Sequence, residues 1–207
     1  MAGDSWYQNF SWSVDIANEF ERRLARSRNK VQYLRIQASC ISRSHPEIAL
    51  ELLGRYIRLP EHFDRAQAYV DRADALDALG RTSEAIRALE EALARETEYP
   101  KHLTQAYLLL PQLIVRNNLG VLFPRALTVL QENQGRALFP VDFFRWNAMS
   151  ALINVECHER ARAVLFATRA LAAAAQLSSG FGGRPNVGLV GAEDDELKEA
   201  MNRIVAA

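Results

Sequence analysis

Between residues 66 and 79 the apolar side chains Ala66, Tyr69, Val70, Ala73, Leu76 and Leu79 recur at intervals of three and four, with Asp71, Arg72, Asp74 and Asp77 in the gaps. An α-helix turns once in about 3.6 residues, so this spacing predicts a helix with one buried stripe. Beyond Leu79-Gly80-Arg81 the rhythm resumes with Ala85, Ile86, Leu89, Ala92 and Leu93, which predicts a second helix facing the first across a short turn. Thr82 or Ser83 is the expected N-cap of that helix. Nearer the start, Ile16, Ala17, Phe20 and Leu24 predict an amphipathic helix over 14–28, preceded by the aromatics Trp6, Tyr7, Phe10 and Trp12. These rings either fold over the first repeat or form an exposed anchor patch for a partner.

The helical pattern repeats. A polar or charged residue, an alanine and an apolar stretch recur at Glu47-Ile48-Ala49-Leu50, Glu84-Ala85-Ile86, Arg125-Ala126-Leu127 and Arg160-Ala161-Arg162, and the four alanines are 36, 41 and 35 residues apart. A period in this range is the mark of stacked helical pairs. Pro46, Pro60, Pro100, Pro124 and Pro140 fall at expected helix boundaries or first turns, where a missing N–H costs little. Pro111 lies inside the expected helix 103–119, which predicts a kink or interruption near Leu108.

On Ala73, Gly80, Ala85 and Ala92 the stretch 66–100 resembles the tetratricopeptide repeat. In that family a small residue in the first helix lets the second pack close, a glycine makes the turn, and two alanines in the second helix admit the next pair. The other copies depart from this pattern. Gln37, Ile114 and Met149 stand where the small residue is expected, His45-Pro46 and Val155-Glu156-Cys157-His158 replace the glycine turn, and Thr168 replaces the last alanine of the fourth copy. Asn118-Leu119-Gly120 ends the first helix of the third copy.

The resemblance implies an all-α fold, a right-handed α–α superhelix of about four helix pairs in one domain. Its parts are an N-terminal cap over 1–29, the pairs over 30–176, a glycine-rich loop over 177–191 and a C-terminal helix over 192–207 that packs back as a cap. It also implies that first helices line a concave groove, with Leu34, Arg35, Ala38, Asp71, Asp74, Gln112, Trp146, Asn147 and Ser150 as partner-binding candidates. The family's clamp for a C-terminal carboxylate uses Lys and Asn, which the matching places here do not supply. Asp71, Asp74 and Asp77 read either as an acidic stripe in that groove or as a solvated face.

Composition narrows the function. Twenty-five basic and 25 acidic residues cancel, leaving no net positive field to hold nucleic acid or an anionic membrane. No apolar run approaches the length of a membrane span, and the opening residues show no secretory signal, so a soluble cytoplasmic protein is expected. Cys40 and Cys157 form no disulfide, zinc or redox motif and read as small core residues. His45, His62, His102 and His158 are dispersed among the repeats near helix ends, which makes no metal site. The glycine loop with Arg184 lacks the strand and GK[ST] ending of a phosphate cradle. Arg22, Arg26 and Lys30 stand four apart as a basic face, solvated or charge-complementary to another surface. With no cofactor and no convergence of nucleophile, base and charge stabiliser, the reading is a scaffold or adaptor rather than an enzyme. Its partner is a peptide or helix of another protein, with self-association open. A ligand-sensing module using the glycine loop or Trp146, and an enzyme with an unrecognised site, are the alternatives.

Overall fold

A computed structural model describes residues 6–60 and 63–207, so the opening residues and His62 lie outside the described residues. Among the described residues the chain is all-helical, with ten α-helices and no strand. In order these are α1 (Val14–Arg26), α2 (Lys30–Ile41), α3 (Pro46–Arg58), α4 (Arg65–Ala78), α5 (Thr82–Glu98), α6 (Ala106–Arg116), α7 (Phe123–Glu132), α8 (Pro140–Glu156), α9 (Arg160–Ala174) and α10 (Asp195–Ala206). No helix among them is long and apolar enough to cross a membrane. The contacts group into two compact units, one ending at Ala106 and the other beginning at Tyr107.

In the first unit the helices pack as neighbours in chain order, α1 on α2, α2 on α3, α3 on α4 and α4 on α5. Phe20, Leu34, Ile41, Leu53 and Tyr56 are sealed in one core, with Trp6, Tyr7 and Trp12 half-buried against it. Trp6 makes ring contacts with Tyr7, Phe20 and Tyr33, at centroid distances of 5.5, 5.5 and 4.9 Å. These aromatics therefore cover the first helices, and Phe10 alone stays out, 76 % exposed. The segment is fastened by Gln37, fully buried, whose amide accepts from the Asn9 backbone N–H and side chain at 3.0 Å and donates to the Asn9 carbonyl at 2.8 Å. That use of Gln37 accounts for a long polar side chain where the repeat expects a small one.

Three turns share one geometry. After α4, α6 and α8 the chain passes through a left-handed residue, Gly80 (φ 69°), Asn118 (φ 49°) and His158 (φ 60°). The next residue's N–H then returns to a carbonyl of the finished helix: Arg81 to Leu76 at 2.9 Å, Leu119 to Ile114 at 3.0 Å and Glu159 to Asn154 at 2.8 Å. This cap satisfies carbonyls the helix leaves open, and glycine is its cheapest residue because it lacks a Cβ. Asn118 rather than Gly120 occupies the position, and Gly120 begins a short 3-10 turn ahead of α7. The expected Thr82 or Ser83 N-cap does not form: α5 begins at Thr82, and Arg81, which precedes it, makes no side-chain cap bond.

The turn resets the register of the fourth copy. Ala161 is exposed, whereas Ala163 and Ala170 are buried, so the alanine element is displaced by two residues from its expected place. In the corrected register Ala73, Gly80, Ala85 and Ala92 correspond to Ala151, His158, Ala163 and Ala170, each pair separated by 78 residues. All six alanines are buried. The hairpins α4–α5 and α8–α9, one in each unit, are thus built on the same small-residue frame. Replacing Ala85 or Ala163 by Leu is expected to overpack the helix contact and to cost about 1–3 kcal/mol in either unit. Chemical denaturation followed by helical circular dichroism checks this, and an unchanged midpoint for either variant contradicts the shared frame.

In the second unit α7 packs on α8, α8 on α9 and α10 on α9. Pro111 lies in the second turn of α6, which begins at Ala106 rather than 103 and continues past the proline to Arg116, so the expected interruption near Leu108 does not occur and the proline costs the helix one backbone bond. The glycine-rich loop is tied down, because the Val141 N–H donates to the Gly188 carbonyl at 2.9 Å. Arg145 adds a paired contact with Asp194, Nε to Oδ1 and Nη2 to Oδ2, both at 3.0 Å. Asp194, in the acidic run that leads into α10, thus anchors the loop to α8. Met201, fully buried, seals α10 against the unit.

Candidate functional site

Helical spacing places Arg35, Asp71 and Tyr56 on faces of α2, α4 and α3 that meet in the first unit. Arg35 Nε donates to Asp64 Oδ2 at 2.5 Å and its Nη1 to Asp71 Oδ2 at 3.1 Å. The Tyr56 hydroxyl donates to Asp64 Oδ1 at 2.5 Å, and Gln67 Nε2 to Asp71 Oδ1 at 3.0 Å. Asp71 is only 4 % exposed. Its carboxyl is pushed above the ordinary aspartate range, because burial outweighs the help of Gln67 and Arg35. Burial also works against the Arg35 charge, but Asp71 and Asp64 outweigh it and hold the guanidinium firmly protonated. Burial, and then the Asp71 charge, push the Cys40 thiol up. Since these polar groups engage one another, the cluster acts as a clamp joining three helices. Asp71 is therefore interior to the unit, and Arg35, its side chain 19 % exposed, is held by its two acids.

Burial and the bond to Asp64 hold the Tyr56 hydroxyl far above the tyrosine range. The unfolded chain ionises this group near about pH 10, and the folded chain does not. Its contribution is therefore complete below that pH and is lost as pH rises beyond it, by about 1.4 kcal/mol per pH unit. Urea midpoints measured from neutral pH to about pH 11.5 should fall more steeply for the wild type than for Tyr56→Phe. Parallel curves would contradict this role.

The remaining groove candidates divide. Leu34 and Ala38 are core residues, 3 % and 0 % exposed, and present no contact surface. Asp74 is part-exposed and lies 3.7 Å from Arg43, so the aspartates of α4 do not form one continuous stripe. Gln112 is exposed on α6. Ser150 is buried and bonds the Trp146 carbonyl at 3.0 Å. On the basic face, Arg22 and Arg23 both pair with Glu19, and Arg55 of α3 pairs with Glu21. Cys157 is exposed rather than a core residue, because it sits at the helix end beside the His158 turn, and Cys40 is half-buried.

Trp146 and Asn147 come together at a hollow of about 330 Å³ in the second unit, lined also by Phe143, Gln134, Arg169 and Gln176. The Trp146 indole is locked, its N–H donating to the Leu130 carbonyl at 2.7 Å and its ring standing edge-on to Phe166. Asn147 Nδ2 donates to the Phe143 carbonyl at 2.7 Å, which orients the amide and leaves its oxygen as an acceptor. Phe143, 44 % exposed, gives the hollow an apolar side. Arg169 stacks loosely on Phe166, 5.9 Å from the ring centroid. With Phe143 as its exposed ring, and Trp146 and Asn147, 7 % and 8 % exposed, among its lining, the hollow can hold a polypeptide segment, aligning amides with backbone groups and the Arg169 guanidinium with an acidic one.

Phe143 was within reach of sequence reasoning, standing one helical turn before Trp146 and Asn147. Arg169 and Gln176 were not, because only the packing of α9 on α8 brings them near. Among the described residues no group of three or more His, Cys, Asp and Glu side chains could hold a metal ion. The chain matches no family model, no curated protein and no solved structure.

Proposed function

We propose that the chain is a tetratricopeptide-like binding scaffold, a right-handed array of helix pairs, and that the Trp146–Asn147 hollow takes an extended peptide segment of a partner protein. The observation that carries this reading is the grouping of a locked indole, a half-exposed phenyl ring and an oriented amide beside Arg169 on one hairpin. The 78-residue correspondence of Ala73, Gly80, Ala85 and Ala92 with Ala151, His158, Ala163 and Ala170 supports the repeat character. Large rigid aromatics with adjacent Arg are the side chains that dominate the energetics of protein interfaces. Of the nine groove candidates, Trp146 and Asn147 remain central, and Gln112 and Asp74 stay available at the surface.

The test pans a displayed peptide library on the full-length chain and measures the enriched peptides by calorimetry. Phe143→Ala and Arg169→Glu alter side chains at the rim and are expected to leave the helical fold intact. Each should weaken binding about tenfold or more, equivalent to about 1.4 kcal/mol. Failure to enrich any peptide, or affinities untouched by both substitutions, would remove the proposal.

A further inference from the structure

In the Trp146 hollow, Asn147 is more than nine-tenths buried and its amide can sit only one way round. The Phe143 carbonyl accepts and cannot donate, so it takes Nδ2 at 2.7 Å and leaves Oδ1 turned away from it. Oδ1 has no hydrogen-bond partner among the described residues, and it is not sealed from the surface. It therefore opens on the hollow that Asn147 lines, where an amide oxygen in so buried a side chain calls for an N–H donor. Arg169 lines the same hollow from α9. Its guanidinium stacks loosely on the Phe166 ring and makes no ion pair among the described residues. No Asp or Glu among them lines the hollow either. The site thus presents one unmet acceptor and one unmet cation beside the half-exposed Phe143 ring.

A hollow of about 330 Å³ lies at the small end of ligand sites, which run from about 300 to 1,000 Å³, so it takes a few side chains and not a folded segment. In an extended chain, residues two apart project to the same side, and the backbone N–H groups lie along the edges, free to donate. We infer that the segment this hollow takes is acidic: an apolar side chain lies against Phe143, an Asp or Glu two residues away pairs with Arg169, and a backbone N–H of the same stretch donates to Asn147 Oδ1. The carboxylate meets the guanidinium through charge-assisted hydrogen bonds, which are stronger than neutral ones. The inference rests on the peptide reading of this hollow and adds the chemistry of the partner.

A random peptide library displayed on phage, panned on the full-length wild type and on Arg169→Glu, tests it. Enriched sequences are then made as acetylated, amidated peptides, in which a side chain supplies the only carboxylate. The wild type is expected to enrich Asp or Glu two residues from a bulky apolar residue, and Arg169→Glu to enrich Lys or Arg there instead. Both Arg169 variants should keep the wild-type thermal midpoint, since the side chain is exposed. By calorimetry, changing the acid to its amide should weaken binding to the wild type about fivefold and leave binding to Arg169→Gln unchanged. N-methylation of one backbone nitrogen in the stretch should weaken binding to the wild type and not to Asn147→Ala. Enriched peptides without an acid, the same motif on Arg169→Glu, or an equal loss on Arg169→Gln would each overturn this inference and leave the peptide reading standing. No enriched peptide on either chain would overturn both.

Discussion

Replacing Arg35 by Ala is expected to destabilise the first unit by about 3–5 kcal/mol, the usual cost of leaving a buried charge without its partner. The guanidinium lies between Asp64 and Asp71, whose side chains are 10 % and 5 % exposed, and its removal leaves two carboxylates facing one another in the interior. Tyr56 and Gln67 still donate one hydrogen bond to each acid, which limits the loss but does not neutralise the charge. The contrast that isolates the cause is Arg35→Met against Arg35→Met/Asp71→Leu. If the stranded charge is responsible, the double variant is the more stable of the two, because an apolar pair of similar size replaces an ion pair at little cost. Hydrogen exchange of α2 and α4 reads the first unit specifically. A single variant within about 1 kcal/mol of wild type, inside the range of an exposed pair, would show that water reaches the cluster.

The second large effect is expected in the glycine-rich loop, and it should be confined to one residue. Gly188 has φ 72°, and a Cβ built there would fall 2.4 Å from Cβ and Cγ of Phe139. Gly180 has almost the same backbone conformation, φ 73°, but opens on empty space. Gly180→Ala therefore meets only the left-handed backbone penalty, about 1–2 kcal/mol. Gly188→Ala meets the same penalty and an added steric cost of about 1–3 kcal/mol, as well as strain on the Val141 N–H bond to the Gly188 carbonyl. Urea denaturation of the two variants measures the difference, and equal losses would mean that the loop does not press on Phe139.

This loop illustrates why composition reads some features and not others. Five of the ten glycines between 180 and 191 mark a loop, but nothing local says which of them touches a ring. Gly188 gains its constraint from Phe139, about 50 residues away in the chain. The turn after α8 shows the converse limit. His158 is a weaker left-handed signal than glycine, so a frame centred on the alanines alone settled on Ala161, two residues out of register. Ion pairs behave likewise. Arg81 with Glu84 follows from helical spacing, whereas Arg145 with Asp194 spans 49 residues and appears only when the loop closes on α8. Asp71 sits in the polar gaps of α4 and reads as part of a groove stripe or a solvated face, yet it is buried and bonded to Arg35 of α2.

By itself the amino-acid order determined that this is a helical protein, where most of its helices begin and end, and that small residues let paired helices approach closely. These follow from interactions within a few residues, such as apolar spacing, prolines at first turns and Gly80 at a cap. Tertiary structure decided which polar groups are buried, how the chain divides at Ala106, and which side chains gather at the Trp146 hollow of the second unit. Those outcomes depend on pairing between helices far apart in sequence. A periodic pattern shows which face of a helix turns inward but not which neighbour it meets.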